Sequence, residues 1–289
     1  MKPAPFAYSA PATLAEALST LAQYGYEAKL LAGGQSLIPA LNFRLAQPSR
    51  LIDLNRLAEL DYIQEDADGG LRLGAMTRHR RLERDPLVAK VAPLLHETMP
   101  YVAHPQIRNR GTLGGSLAHA DPAAELPVIA LALQARLRLR SSQGERWVAA
   151  EEFFLGLFTT ALAPEEILVE VTIPPMPPRT GWSFLEVSRR PGDYAQAGVA
   201  ALATLDESGV CRQARLVYLS LGEMPMVARE AAGLLVGQRP DVALIQAVAE
   251  VASQQEIEPT ADIHASVAYK RHLARVLTRR ALQQALARV

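Results

Sequence analysis

The chain has 289 residues, of which 49% are apolar and 21% charged, and its formal net charge is zero. This composition is that of an ordinary globular protein, long enough for two or three packed units, and a neutral chain gives no indication of a nucleic-acid partner. No apolar run reaches the roughly 18 residues of a membrane-spanning helix, and the N-terminus lacks the apolar core of a signal peptide, so we expect a cytoplasmic protein without a membrane span.

The first part of the chain predicts a small unit of strands and helices. Apolar residues at helical spacing indicate a helix that starts after Thr13 and ends at Gly25. A short buried strand, AKLLA, then runs into the adjacent Gly33 and Gly34, after which a helix restarts. The segment RLIDL at 50–54 is predicted to be a second strand. The glycine pair therefore lies at a strand-to-helix junction.

The next part predicts hairpins and helices around one long connection. A hairpin is expected to turn at residues 68–70, and Thr77 is expected to cap a following helix. The polar, glycine-rich stretch at 104–127 is long for a connection, and long structured loops are often functional. Its last residues open a buried helix, AELPVIALALQ, which is followed by a hairpin around 141–144 and by the strand EEILVEVTIP at 165–174.

The stretch PPMPPRTG at 174–181 carries four prolines and is the best candidate for a domain boundary. Three predicted strands follow it, then three predicted helices. An order of strands first and helices afterwards indicates an α+β fold. The single cysteine, Cys211, permits neither an internal disulfide nor a four-cysteine iron–sulfur cluster. It lies in a predicted strand and is expected to be an ordinary core or surface residue.

The last predicted helix is basic and amphipathic, with leucine and alanine along one face and Arg271, Arg275 and Arg279 along another. Two interpretations are open. The helix packs on its own domain and leaves a solvated basic face, or that face docks another subunit.

Two related segments carry the chemistry that the sequence suggests. AGGQSL at 32–37 and LGGSL at 113–117 both place Gly-Gly before a hydroxyl residue. We call residues 32–37 the first glycine segment and residues 112–117 the second. Consecutive glycines can gather backbone N–H groups into a concavity that binds phosphate oxygens, and Ser36, Thr112 and Ser116 could add hydroxyl donors. Two facing segments would suit a pyrophosphate, whereas the plain alternative is two turns.

Other glycine motifs do not fit these segments. There is no G-x-G-x-x-G for a Rossmann site and no G-x-x-x-x-G-K-[ST] for a Walker site. GGQSLI also lacks the second glycine of the G-x-S-x-G nucleophile elbow. A pyrophosphate-binding loop of another kind and a pair of plain turns both remain open at this point.

The chain resembles the medium, FAD-binding subunit of the molybdenum hydroxylases, a family that includes aerobic carbon monoxide dehydrogenase and xanthine dehydrogenase. The resemblance rests on three motifs at this separation: KLLAGGQSLIPALNFRLAQPSRLIDLNRL, HPQIRNRGTLGGSLAHADPAAELP, and EVSRRPGDYAQAGVAA at 186–201. The third motif lies beyond the proline-rich boundary, so the resemblance covers almost the whole chain.

The resemblance implies a fold and a domain division. Residues 1–176 would be a two-lobed FAD-binding domain of the vanillyl-alcohol-oxidase (PCMH) type, with lobes of about 1–56 and 57–176. Residues 177–289 would be a domain like the CO dehydrogenase flavoprotein C-terminal domain, an antiparallel sheet with helices.

The resemblance also implies which residues bind FAD. The first pyrophosphate loop would consist of Ala32, Gly33, Gly34, Gln35, Ser36 and Leu37. The second would run from Thr112 to Ser116 and include Gly114 and Gly115. The acid that follows the second loop in relatives matches Glu125, with Asp121 as the nearby alternative. The residues Asp193 and Tyr194 would lie near the flavin ring, and Lys29 and Leu31 would flank the adenine-diphosphate side.

One departure from the family concerns charge near the flavin. Many relatives have a lysine near the start of the third motif, where this chain has Leu185 and Glu186. Arg189 or Arg190 could substitute for that lysine, and a solvated surface role for both arginines is the alternative.

No covalent flavin link, metal site or catalytic residue is expected. AGGQSL contains no His or Cys that could bond to the flavin. His104 and His119 flank the second glycine segment, but no Cys or third His completes a metal-ligand set. The other four histidines are predicted to be surface residues on helical stretches: His79, His96, His264 and His272.

Outside the FAD motifs no compelling acid–base pair is apparent, so an electron-transfer subunit fits best. The resemblance implies a large molybdopterin subunit and a small subunit with [2Fe–2S] clusters, assembled as a dimer of heterotrimers. Electrons would arrive from those clusters and leave to an external acceptor. Two rival hypotheses are a self-sufficient flavin oxidoreductase of the same fold and an FAD-containing interaction module.

Overall fold

The computed structural model describes residues 2–289, which form four sheets and twelve α-helices. The strands are β1 Ala7–Ser9, β2 Ala28–Leu31, β3 Arg50–Asp53, β4 Ile63–Glu65, β5 Leu71–Gly74, β6 Arg136–Ser141, β7 Gly144–Ala149, β8 Phe154–Gly156, β9 Thr159–Thr160, β10 Ile167–Ile173, β11 Thr180–Ser188, β12 Ala195–Leu205, β13 Cys211–Leu219 and β14 Met226–Val227. The helices are α1 Leu14–Tyr24, α2 Leu37–Asn42, α3 His79–Leu82, α4 Pro86–Val91, α5 Pro93–Thr98, α6 Pro105–Arg108, α7 Leu113–His119, α8 Glu125–Ala132, α9 Ala150–Phe153, α10 Arg229–Gly233, α11 Val242–Gln255 and α12 Val267–Leu286.

The first sheet is parallel, in the order β1-β3-β2, and α1 packs against it. The predicted start and end of α1 are confirmed. The Thr13 hydroxyl accepts the Glu16 N–H at 3.2 Å, and Gly25 ends the helix with a φ of 47°. β2 leads directly through the first glycine segment into α2, which is the predicted strand-to-helix junction.

The second sheet is antiparallel, in the order β4-β5-β10-β6-β7, and both predicted hairpins are present in it. Helix α8 is buried at all eight residues, as its apolar sequence predicts, and packs against β12 and β13 and against α5, α7 and α9. A separate two-stranded ribbon, β8-β9, completes this half of the chain.

The third sheet, β11-β12-β13-β14, is buried on both faces. Because side chains alternate along a strand, one face of β11 to β13 joins the core of the second sheet, through residues such as Phe184, Ala200 and Leu219. The other face packs against α10, α11 and α12, with the Tyr218 hydroxyl 2.6 Å from that of Thr278. Cys211 is fully buried in β13, as expected. The mixed α+β architecture is confirmed.

Helix α12 packs on the third sheet and on α11, and this packing is compatible with both interpretations of its basic face. Its apolar face is buried against β11, β12 and α11. Two of its arginines hold α11: Arg271 donates to the Ser253 carbonyl at 2.6 Å, and Arg275 lies 3.3 Å from the Glu250 carboxylate.

Three local predictions were wrong. Thr77 caps no helix, since its hydroxyl donates to the Tyr62 carbonyl at 2.9 Å and α3 starts only at His79. The stretch at 104–127 is not a long irregular connection but contains α6 and α7. His79 is not a surface residue, being only 5% exposed.

None of the helices in residues 2–289 is long and apolar enough to cross a membrane. Within the same residues no group of three or more His, Cys, Asp or Glu side chains is arranged to hold a metal ion.

Candidate cofactor-binding site

The first glycine segment offers a run of free backbone donors. Its strand has ended and its helix has not begun, so the N–H groups of Gly33, Gly34, Gln35 and Ser36 make no hydrogen bond within residues 2–289. Gly34 has a φ of 74°, a conformation that glycine adopts at little cost and other residues rarely adopt. The Gln35 side-chain amide donates to the Gly33 carbonyl at 2.8 Å and stiffens the turn.

The second glycine segment is different, because it is the start of helix α7 and its donors are engaged. The Gly114 N–H donates to the Ala75 carbonyl at 2.8 Å, and the Gly115 N–H to the Thr112 hydroxyl at 3.1 Å. A Cβ on Gly114 would lie 2.6 Å from the Ala75 methyl, so this glycine allows a close backbone approach. Of the two glycine segments, only the first therefore leaves its backbone N–H groups free within residues 2–289.

The fold nevertheless brings the two glycine segments into contact. A Cβ on Gly33 would lie 2.5 Å from the carbonyl oxygen of Arg110, and one on Gly115 would lie 3.4 Å from the Ala32 methyl. The absence of a side chain at Gly33 therefore lets the turn after β2 pack directly against the backbone just before the second segment. Gly34 shapes the turn itself.

Two residues that the sequence did not single out hold this junction together. The Asn55 side-chain amide donates to the Ala32 carbonyl at 2.9 Å. The Arg78 guanidinium donates to the Asn55 side-chain oxygen at 2.5 Å and also to the Arg110 carbonyl. The signal in the sequence was the DLN that follows RLI, because polar residues at the carboxyl end of a parallel strand lie beside the neighbouring strand's exit.

His79 supports the second segment from within the core. Its Nε2 lies 2.9 Å from the Thr112 carbonyl, and burial lowers the pKa of the imidazole to about 4. The ring is therefore neutral at physiological pH, with Nε2 as the donor to that carbonyl. Thr112 is in turn the residue that caps α7.

Two acids follow the second segment, and they differ in burial. Glu125, the first residue of α8, is only 7% exposed, and burial raises the pKa of its carboxyl to about 7, with a further contribution from Asp121. Asp121 is partly buried and accepts the Ala123 N–H at 2.9 Å, which shapes the turn before α8.

The third motif reaches this region from the other half of the chain. Gly192 touches the His104 ring so closely that no Cβ would fit. Asp193, next in this turn, is partly buried, and Tyr194 exposes 71% of its surface. The pKa of the Tyr194 hydroxyl is nevertheless raised, first by partial burial of the phenol and then by the negative charge of Asp121 and Glu125.

The remaining candidates lie on β2 and α7. Leu31 packs beneath the glycine turn, with its side chain 3.2 Å from the position of a Cβ on Gly34. Lys29 is exposed on the same edge strand and makes no ion pair within the described chain. Ser36 is exposed and Ser116 is partly buried. His119 packs its ring 5.0 Å from that of Phe158.

Comparison with known proteins assigns this fold to a class of flavoproteins. Family models match twice: the FAD binding domain in molybdopterin dehydrogenase over residues 4–176 and the CO dehydrogenase flavoprotein C-terminal domain over residues 182–285. The chain belongs to the family of FAD-binding medium subunits of the molybdenum hydroxylases.

Individual relatives match over the whole chain. The 6-hydroxypseudooxynicotine dehydrogenase complex subunit alpha of Paenarthrobacter nicotinovorans is 43% identical, over 100% of this chain and 97% of that protein. Quinoline 2-oxidoreductase from Pseudomonas putida 86 superimposes with a TM-score of 0.94 at 42% identity, covering 99% of each chain. Carbon monoxide dehydrogenase from Hydrogenophaga pseudoflava superimposes with a TM-score of 0.96 at 38% identity, over 100% of this chain and 99% of that one. The expected family, fold and FAD dependence are confirmed, and the protein is an oxidoreductase subunit.

Proposed function

We propose that this chain is the electron-transferring subunit of a molybdenum hydroxylase complex, and that it holds one non-covalent FAD at the junction of the two glycine segments. The observation that carries the proposal is the run of four free backbone N–H groups from Gly33 to Ser36. Buried or half-buried donors without partners are costly, and phosphate oxygens satisfy them. The residues present therefore fit a pyrophosphate.

The proposed division of roles follows the geometry. The first segment, from Ala32 to Leu37, would bind the pyrophosphate through its N–H groups. In the second segment the donors are the Thr112 and Ser116 hydroxyls, because the N–H groups of Gly114 and Gly115 are engaged. The other binding residues in this proposal are Lys29 and Leu31 on the adenine side, and Glu125, Asp121, Asp193 and Tyr194 on the flavin side.

A bound flavin would supply the chemistry of accepting and returning electrons singly or in pairs. The chain has one cysteine, fully buried, so it cannot ligate an iron–sulfur cluster. In this proposal the clusters belong to a small partner subunit and molybdopterin to a large one. The assembly would be a dimer of such heterotrimers in the cytoplasm. Relatives named as subunits of dehydrogenase complexes support this reading.

The proposed domain division is 1–176 for FAD binding, with lobes meeting near residue 56, and 177–289 for the C-terminal domain. The limits of the two matching family models, 4–176 and 182–285, support it.

The experiment that tests the function is visible absorbance spectroscopy of the chain alone and with its co-expressed partners. Oxidised-flavin bands that the complex's substrate bleaches only when the partners are present would support the electron relay. Bleaching by substrate in the isolated chain would instead identify a self-sufficient oxidoreductase. Absence of flavin bands in both samples would contradict the FAD site itself.

A further inference from the structure

Arginines are concentrated around the short helix α3. The segment RHRRLER at 78–84 contains four of them, whereas the buried residues of α3 are His79 and Leu82. The helical turn continues past α3, because the Arg84 N–H donates to the Arg81 carbonyl at 3.1 Å. Residues three or four apart lie on one side of such a turn. All four arginines are exposed or only partly buried, so the apolar residues of this segment face the core and its charges face outward.

The four arginines line one open cavity of about 460 Å³. Cavities of roughly 300–1,000 Å³ are typical of small-molecule sites. The remaining lining residues are Asp85, Pro86 and Asn109, so four guanidinium groups face a single carboxylate. That carboxylate is already engaged, since it accepts the Leu87 N–H at 2.9 Å at the start of α4. The cavity is therefore positively charged, although the chain as a whole has no net charge.

Only half of this positive charge is compensated by acidic side chains. Arg80 lies 2.9 Å from the Glu83 carboxylate, and Arg81 lies 2.8 Å from that of Asp61. Neither of the other two lining arginines forms an ion pair within residues 2–289. The cavity thus has guanidinium groups available for an anion from outside the chain.

The two unpaired arginines, Arg84 and Arg78, differ in how they are held. Arg84 is exposed and its guanidinium makes no hydrogen bond in the part of the chain that the structure describes. Arg78 is fixed by its hydrogen bonds to the Asn55 side chain and the Arg110 carbonyl. The pKa of the Arg78 guanidinium is lowered, first by burial and then by the positive charge of Arg110. An anion in the cavity would offset both effects.

We propose that this arginine-lined cavity binds a small molecule that carries two or more phosphate groups. Guanidinium groups bind phosphate oxygens in bidentate pairs, and two unpaired arginines can hold two such groups. The concave shape favours a small molecule over the flatter acidic surface of a macromolecule. None of residues 32–37 or 112–117 lines the cavity, so this proposal does not depend on FAD binding at the glycine segments.

Isothermal titration calorimetry with inorganic pyrophosphate tests the site, using the full chain loaded with FAD and freed of excess flavin. The wild-type chain should bind one pyrophosphate, more tightly than inorganic phosphate and less tightly as salt is added. Arg84→Gln should weaken this binding at least about tenfold. The matched control is Arg239→Gln, at an exposed arginine of the C-terminal half, and should bind like wild type. No binding by the wild-type chain, or equal affinities of Arg84→Gln and the control, would overturn the proposal.

Gly34→Val separates this site from the glycine segments. Because Gly34 does not line the cavity, this variant should keep its affinity for pyrophosphate even where it loses FAD. Loss of pyrophosphate binding in Gly34→Val, with normal binding in Arg84→Gln, would locate the anion at the glycine segments and overturn the proposal. Pyrophosphate binding through Arg84 in a chain that never retains FAD would contradict only the FAD site.

Two further arms identify the source of the phosphate groups and the alternative occupant. Binding of ADP that depends on Arg84 and is tighter than that of pyrophosphate would support a nucleotide ligand, and equal affinities would support an inorganic polyphosphate. If pyrophosphate does not bind and Arg84→Glu instead weakens association with co-expressed partner subunits, the arginines face an acidic protein surface and the proposal is wrong.

Discussion

The two glycine segments are alike in sequence and different in structure. Both read Gly-Gly followed within two residues by a hydroxyl residue, yet the first leaves four backbone donors free and the second engages its own. The reason lies in what surrounds them. The first follows the end of a parallel strand and has no neighbouring backbone acceptors within residues 2–289. In the second, the carbonyls of Ala75 and Thr77 accept the N–H groups of Gly114 and Leu113, and Thr112 accepts those of Gly115 and Ser116. Similar residues therefore leave backbone donors free in one place and contact another part of the chain in the other.

The largest expected effect is at the first segment. Gly34→Val should abolish FAD retention while the fold persists, because a β-branched residue at a φ of 74° distorts the turn that presents the free donors. The matched control is Gly69→Val, at a φ of 81° in a hairpin turn with nothing within 4 Å of its Cβ. Flavin absorbance per chain after gel filtration measures retention. A Gly34→Val protein with full flavin would contradict the assignment of this segment.

At the second segment we expect a pH effect on stability. The folded protein keeps His79 neutral with a pKa of about 4, while the unfolded chain protonates it near 6.5. The contribution of neutral His79 to the free energy of unfolding is therefore complete above pH 6.5. It is lost as the pH falls towards 4, by about 3 kcal/mol at 1.36 kcal/mol per pKa unit. Chemical denaturation of wild type and His79→Gln between pH 4 and 8 measures it. Parallel curves for the two proteins would show that His79 is not the cause.

The close packing of the second segment gives the next effect. Gly114→Ala should lower the free energy of unfolding by about 1–3 kcal/mol, because the new methyl group would overlap Ala75. Gly233→Ala is the control, a helical glycine with open space around it, and should be neutral or stabilising by up to about 1 kcal/mol. Urea denaturation distinguishes them, and equal stabilities would mean that the contact with Ala75 relaxes freely.

The hydrogen bond from Asn55 that helps to hold the two glycine segments together should contribute less to stability. Asn55→Ala removes the hydrogen bond to the Ala32 carbonyl, at a cost of about 0.5–1.5 kcal/mol, and should weaken FAD binding by letting the two segments separate. The matched control is Asn42→Ala, because the Asn42 side chain makes no hydrogen bond within residues 2–289. Flavin release in a dilution series measures the difference. FAD affinity equal to that of the control would mean that the Asn55 hydrogen bond stabilises the fold without affecting FAD binding.

The smallest effect on binding is expected at the third motif. Tyr194→Ala should leave FAD bound, because the phenol is largely exposed and belongs to neither glycine segment, but should change the flavin's reduction potential or reoxidation rate. Tyr26→Ala, exposed over 86% of its surface in the first lobe, is the control. Potentiometry and stopped-flow reoxidation provide both readings, and unaltered values would place the ring elsewhere.

Local patterns in the sequence predicted the elements well and their long-range contacts poorly. Periodicity and caps placed α1, the hairpins and the buried α8, because these depend on neighbouring residues. The start of α7 was missed because the glycines mask its helical pattern, and its anchor at Ala75 is distant in sequence. The burial of His79 and the partial burial of Glu186 depend on contacts with Gly111 and on the register with Gly198, which no local pattern encodes.

The third sheet, buried on both faces, has a mechanical consequence. One of its faces is part of the same apolar core as the FAD-binding half, so opening the chain between its halves would expose that core to water. The two halves of the chain are therefore not expected to move relative to each other about the proline-rich stretch in the folded protein. If FAD binds as proposed, it would stay at a constant distance from surfaces of both halves, which would favour transfer of electrons by tunnelling over a fixed gap rather than by a swinging domain.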